Sequence, residues 1–136
     1  SQIEKEAMEK GISSRPLRGG NIKQFIFNLL NPLFSTSPTS VDVTTSEPFT
    51  FPILGNLFVL NTPGHTPGHL SYWLREERIL FAGDSIWEMN GQLNPSRGIN
   101  CWNEEQARKS FDLQMELSPK IICAGHFCKK IIQIGE

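Results

Sequence analysis

Three short runs in this chain end in residues that could hold a metal ion. His65 and His69 lie in Thr62-Pro63-Gly64-His65-Thr66-Pro67-Gly68-His69, directly after the apolar stretch Leu57 to Leu60. Asp84 closes Ile79-Leu80-Phe81-Ala82-Gly83-Asp84, and His126 closes Ile121-Ile122-Cys123-Ala124-Gly125-His126. Short apolar runs bounded by Gly and Pro read as buried strands that end in turns. The Gly and Pro residues around His65 pin the backbone, so its imidazole can be offered to an ion without a large ordering cost. Imidazole and carboxylate groups at the mouths of neighbouring strands in one sheet can converge on a single site, and the chemistry they support is metal-assisted activation of water.

Those ends need a frame. Leu70 to Leu74 and Arg78 to Phe81 flank the short polar connection Arg75-Glu76-Glu77 and should pair as a hairpin, with His65 before it and Asp84 after it. Asn103 to Leu117 reads as a helix. Asn103 and Gln106 outline a capping box, Glu104 and Glu105 suit the positive end of the dipole, and Pro119 follows the far end. Its apolar face would be Ala107, Phe111, Leu113, Met115 and Leu117. This helix should lie on the sheet and return the chain to the strand that ends at His126. The segment from Ser85 to Trp102 reads as a loop, in which Trp87 is a candidate pocket wall and Arg97 a solvated cation able to meet an anion.

Upstream, Ile3 to Lys10 is a charged helical segment stopped by Gly11. Residues 12–20 read as loop. Ile22, Phe25, Ile26, Leu29 and Leu30 recur at helical spacing, with Asn21 as N-cap and Pro32 as terminator. Residues 35–40 form a Ser, Thr and Pro linker. Val41 to Thr45 and Pro48 to Ile53 are expected to be strands, followed by a turn at Leu54-Gly55-Asn56.

PGHTPGH, then FAGDS, then AGH, in that order, resembles the C-terminal half of the metallo-β-lactamase superfamily over about Val41 to Phe127. The resemblance implies an α+β fold: half of an αββα sandwich, with a mixed, mainly antiparallel sheet and flanking helices. Residues 41–136 would be that half and residues 1–40 a helical insertion and linker, together one partial domain. It further implies that His65 ligates a first metal, that Asp84 bridges two metals and carries the catalytic role, and that His126 ligates the second. Zinc is the default pair of ions, and iron or manganese suits the same His and carboxylate set.

The family's His-x-His-x-Asp-His signature is absent, and the three histidines His65, His69 and His126 cannot supply it. Catalytic zinc takes three protein ligands with one open position, whereas the candidates here give each ion two, one of them shared. The expectation is therefore a piece of a longer metal-dependent hydrolase of ester, thioester or lactone-like substrates, inactive by itself, with the missing ligands on an N-terminal half or a second chain. A non-catalytic or interaction module that keeps the fold is the alternative. The start, Ser1-Gln2-Ile3, reads as the middle of a helix, in keeping with a piece.

His69 is four residues from His65, but the Pro-Gly pairs exclude a helix that would align the two rings. A hydrogen-bonding or structural role is expected for it. Asp42 and Asp112 are read as solvated carboxylates. The formal net charge of −1 over 136 residues offers no basic stripe for nucleic acid, and no apolar stretch is long enough to span a membrane. Three cysteines, Cys101, Cys123 and Cys128, without a CxxC spacing favour a reducing, cytoplasmic setting. Cys123 and Cys128 bracket His126, yet ordinary strand and loop thiols are expected. The partner would be a small-molecule substrate, and the apolar helix at 22–30 is a candidate for an acyl-binding wall or for a contact between copies of the chain.

Overall fold

The structure, a computed structural model, describes residues 1–14, 37–45, 49–54, 56–125 and 132–133. Helix α1 (Gln2–Lys10) is followed by strands β1 (Phe49–Phe51), β2 (Leu57–Asn61), β3 (Leu70–Leu74), β4 (Ile79–Gly83), β5 (Ile86–Met89) and β6 (Gln92–Pro95). A 3-10 turn (Gly98–Asn100), helix α2 (Glu104–Glu116) and strands β7 (Ile121–Ala124) and β8 (Ile132–Gln133) complete the described elements. Among the described residues no helix is long and apolar enough to cross a membrane.

The main sheet has the order β1-β2-β3-β4-β7-β8, with β4 and β7 parallel and the other neighbours antiparallel. This is the mixed, mainly antiparallel sheet expected. Because β2 and β4 both run antiparallel to β3, they run parallel to each other, and β7 runs with them. The C-terminal ends of β2, β4 and β7 therefore share one edge of the sheet. The parallel pairing requires a crossover, and α2 supplies it.

Register decides which residues meet the core. Phe58, Trp73 and Leu80 stand opposite one another across β2, β3 and β4, and Leu80 stands opposite Ile122 on β7. With Ala82 and Ile86, Trp73, Leu80 and Ile122 form the buried core, onto which Phe111 and Met115 of α2 and Leu117 at its C-cap pack. The opposite face carries Phe49, Val59, Tyr72, Phe81 and Cys123 in register. Cross-strand partners share a face, so the sheet is apolar on both sides.

Local chemistry accounts for the helix ends. Ser1 caps α1 by accepting from Glu4 N. Gly11 adopts the left-handed conformation that stops α1, and Ile12 N bonds back to Ala7 O at 2.9 Å. Asn103 Oδ1 accepts from Gln106 N at 3.1 Å at the start of α2. The last turn of α2 gives way to Ser118 with φ of 51°, just before Pro119.

Three sequence expectations need correction. Among the described residues Val41 to Thr45 is irregular and pairs with no strand. Of the expected strand Pro48 to Ile53, the described residues are strand at Phe49–Phe51 and not at 52–53. The segment Ser85 to Trp102 is not a plain loop. Asn90 and Gly91, with φ of 55° and 76°, make the tight turn that pairs β5 with β6 in register from Ile86–Pro95 to Met89–Gln92. The expected helix at 22–30, the linker before Ser37, and His126 and Cys128 lie outside the described residues.

Candidate metal centre

The motif 62–69 is the loop that joins β2 to β3. Thr62 N donates to His69 O at 3.0 Å, which extends the ladder by one step before the loop opens. Two helices hold this loop, each touching one of its glycines. A Cβ on Gly64, whose φ is 144°, would stand 2.4 Å from Ala107 Cα of α2. A Cβ on Gly68 would stand 2.0 Å from Ser1 Oγ and 2.9 Å from Glu4 Cγ of α1. At Gly64 the neighbour is backbone and only glycine permits the approach, while at Gly68 the Ser1 and Glu4 side chains would have to move. The repeated Pro-Gly pair therefore does more than stiffen the turn.

Hydrogen bonds follow the same division. On the α2 side, Asn103 N donates to Gly64 O at 3.0 Å and Trp102 N to His65 O at 3.1 Å. The buried Cys101 thiol also points at Gly64 O, at 3.2 Å. Ser110 Oγ donates to Pro63 O at 2.7 Å. On the α1 side, Glu4 accepts from Gly68 N at 3.0 Å and from Ser14 Oγ at 2.7 Å.

His65 is thereby aimed at the end of β4. Its Nε2 lies 3.5 Å from Asp84 Oδ2, with the two side chains 14% and 22% exposed. Its other nitrogen, Nδ1, lies 3.3 Å from Ser96 Oγ on the segment after β6. The hydroxyl at Nδ1 leaves Nε2 facing Asp84, an arrangement that suits a metal-binding histidine. The separation fits as well. Zinc–nitrogen and zinc–oxygen bonds of about 2.0–2.2 Å in tetrahedral geometry place neighbouring ligand atoms about 3.3 Å apart.

Asp84 sits at the shared edge beside β7. Gly125 N donates to Gly83 O at 2.8 Å, and a Cβ on Gly125 would stand 2.4 Å from Asp84 Oδ1. A side chain at residue 125 would thus fill the space the carboxylate uses. Trp87 donates from Nε1 to Asp84 O at 3.2 Å, which places its half-buried indole against this turn. Arg97 is exposed and reaches Met89 Sδ at 3.4 Å. Asp42 and Asp112 are exposed.

His69 faces inward. Its Nδ1 lies 2.9 Å from Thr62 Oγ1, and its Nε2 would be 3.0 Å from a Cβ on Gly83. Its ring is edge-on to that of His65, with centroids 6.1 Å apart. Burial first, then the neighbouring His65, lowers its pKa from 6.5 to about 4, against upward pulls from Asp84, Glu4 and Thr62. His69 is neutral at neutral pH. Below it lies a buried polar layer that sequence reasoning missed: Thr62, Ser71, Ser85, Ser110 and Gln114.

The structure thus brings His65 and Asp84 together, and β7 ends next to Asp84. Among the described residues no three His, Cys, Asp or Glu side chains gather as they would around one ion. The donors present fit one side of a metal site. Ser96 had no sequence signal, since its role depends on where the β5–β6 hairpin returns. Ser71 did have one. It alternates in step with the core residue Trp73, and Gln114 lies one helical turn beyond Ser110 on the same face of α2.

The six-stranded mixed sheet carries α2 on one face and brings His65 and Asp84 together at one edge. The chain belongs to the metallo-beta-lactamase superfamily, whose family model matches residues 5–126. The chain is 33% identical over 81 residues to the uncharacterized protein YobT of Bacillus subtilis, a match covering 54% of this chain and 35% of that protein. It is 50% identical over 49 residues to a hydroxyacylglutathione hydrolase of Bartonella tribocorum, covering 35% of this chain and 19% of the hydrolase. The matches thus span about a third or less of those curated relatives. A metallo-beta-lactamase family protein of Thermus thermophilus superposes with a TM-score of 0.56 at 25% identity over 82% of this chain and 35% of that one. An archaeal superfamily protein of Sulfolobus tokodaii has the same fold, with a TM-score of 0.57 at 21% identity over 97% of this chain and 60% of that one.

Proposed function

We propose that this chain carries one side of a binuclear metal centre in a hydrolase of ester, thioester or lactone-like substrates. His65 holds the first ion, Asp84 bridges both, and His126 holds the second. The remaining ligands come from an N-terminal half or a second chain. The observation that carries this reading is the approach of His65 Nε2 to Asp84 Oδ2 at 3.5 Å, with Nδ1 turned to Ser96. The hydroxyacylglutathione hydrolase relative supports thioester-like chemistry.

When bound, a zinc pair, or iron or manganese in its place, supplies a Lewis acid and lowers the pKa of water. The protein's own contribution is positional. Ser96 orients His65, and the two helices hold its loop. The Gly125 backbone leaves room for the Asp84 carboxylate, which accepts a proton from the attacking water. Trp87 walls the small-molecule substrate beside Asp84, and the apolar residues Phe25 to Leu30 favour an acyl group or a contact between copies. The working compartment is the reducing cytoplasm, where Cys101 stays a thiol. Neither nucleic acid nor membrane is a partner.

Elemental analysis tests the ligand count. The isolated chain should not retain two zinc ions through dialysis; tight retention of both overturns the division of the site. In the full-length protein, Asp84→Ala should abolish thioester hydrolysis with little change in thermal stability, and an active variant removes the bridging role. The second reading, a non-catalytic module, rests on the lack of a three-ligand cluster among the described residues. A His-x-His-x-Asp-His run encoded upstream would decide for the hydrolase.

A further inference from the structure

The buried polar layer beneath the histidine loop has a direction that can be worked out proton by proton. Gln114 is fully buried, and its amide nitrogen lies 2.9 Å from Ser110 O, a carbonyl that can only accept. The nitrogen is therefore the donor there, and Oε1 points the other way as an acceptor. Two hydroxyls reach Oε1: Ser71 Oγ at 3.1 Å and Ser85 Oγ at 3.0 Å. Ser85 also reaches Ala82 O at 2.7 Å, its shorter contact, and its single proton goes there. Ser71 then supplies the proton to Gln114.

With its proton committed, Ser71 can only accept from Thr62 Oγ1, which lies 2.8 Å away. Thr62 in turn has given up its one proton, so at 2.9 Å from His69 Nδ1 it can only accept. The donor in that contact must be the ring. Reversing the chain would take the Ser71 proton away from Gln114 Oε1, whose other hydroxyl neighbour, Ser85, is held by its shorter contact with Ala82 O. Burying acceptors without their donors is costly. Every described member of the relay from Thr62 to Gln114 is at most 1% exposed, so water does not substitute.

We infer that Gln114, acting through Ser71 and Thr62, sets the tautomer of His69, with the proton on Nδ1 and a lone pair on Nε2 beside Gly83. His69 is then a positioning residue that enters the site as a hydrogen-bond acceptor. It favours a ligand group that brings a proton, such as water or a substrate O–H or N–H, and it repels a second carboxylate next to Asp84. The tautomer stands independently of the metal reading. Only the consequence for ligands rests on the proposed hydrolase.

The test is long-range proton–nitrogen correlation NMR of the nitrogen-15-labelled chain at neutral pH, with the three histidines assigned by His65→Asn and His126→Asn. His69 should show a protonated Nδ1 and an unprotonated Nε2. Thr62→Ser keeps the hydroxyl and should keep this pattern. Thr62→Val and Ser71→Ala break the relay at different links, and each should shift the ring toward the Nε2–H form; whichever of the two folds serves. A wild-type ring protonated on Nε2 overturns the inference, as does an unchanged pattern in the folded broken-relay variant. Zinc retention by the chain reads the metal proposal separately, so the two can fail independently.

Discussion

Leu80 and Phe81 are adjacent in β4 and face opposite ways. Leu80 is fully buried against α2, while Phe81 is 40% exposed, in register with Tyr72 at 37%. The face under α2 also contains the polar layer of Thr62, Ser71, Ser85 and Gln114, while the other face presents apolar rings. Polar groups thus lie inside and large apolar groups outside. The difference teaches that only one face of this sheet is finished by the described residues. The polar layer is placed under the ligand-bearing edge, where it orients side chains. The apolar layer has the composition of a surface that awaits cover.

Substitutions on the two faces should behave differently, and the largest effect is expected in the core. Leu80→Ala removes a fully buried side chain that touches Trp73, Ile86 and Ile122 in one cluster. It should cost about 2–5 kcal/mol, the range for such cavities. Urea denaturation of the two proteins checks this. A loss no larger than that of an exposed residue would mean that α2 does not seal this face.

Gln114→Leu comes next. It leaves the Ser71 hydroxyl with Ala82 O at 3.2 Å as its remaining carbonyl acceptor and strands the Ser110 carbonyl contact. The expected loss is about 1–3 kcal/mol. Ser71→Ala combined with Gln114→Leu should cost less than the sum of the singles, because the double variant removes both partners of one bond. Strict additivity in that cycle would show that the polar layer is a set of unrelated contacts.

The parts of this arrangement that were legible in sequence are those set by local chemistry. Gly11 stops α1, Asn103 caps α2, and the β3–β4 hairpin forms across Arg75-Glu76-Glu77, each within one turn of chain. The ligand-bearing runs were legible because Gly and Pro mark them. The convergence of β2 and β4 was less so, since β3 lies between them and it is the long loop, not strand adjacency, that brings His65 to Asp84. Leu113 was expected in the apolar face of α2 and is 44% exposed, while Ser110 and Gln114 are buried. Hydropathy alone ranks these residues the wrong way round; the polar layer across the sheet decides. Val41 to Thr45 shows the converse, an alternating pattern that pairs with no strand among the described residues.

The smallest change in folding energy is expected on the open face, and it carries the most information about what covers it. Phe81→Ser replaces a ring that already meets water, so the isolated chain should lose less than about 1 kcal/mol. Part of this face is occupied: residues 43–45 and Ser1 line a cavity of about 100 Å³ with Phe49, Phe51, Val59, Leu70 and Tyr72. Phe81 is not among those lining residues, and among the described residues it remains 40% exposed. Burying an exposed ring between two copies would recover about 25 cal/mol for each Å² of apolar surface. The wild-type chain should therefore elute on sizing columns as a concentration-dependent associate, and Phe81→Ser should move it toward monomer while leaving the urea midpoint nearly unchanged. If Phe81→Ser instead destabilises the chain as much as Leu80→Ala, the two faces are equally finished and the comparison fails. If both proteins run as monomers, the exposed rings are not an adhesive surface.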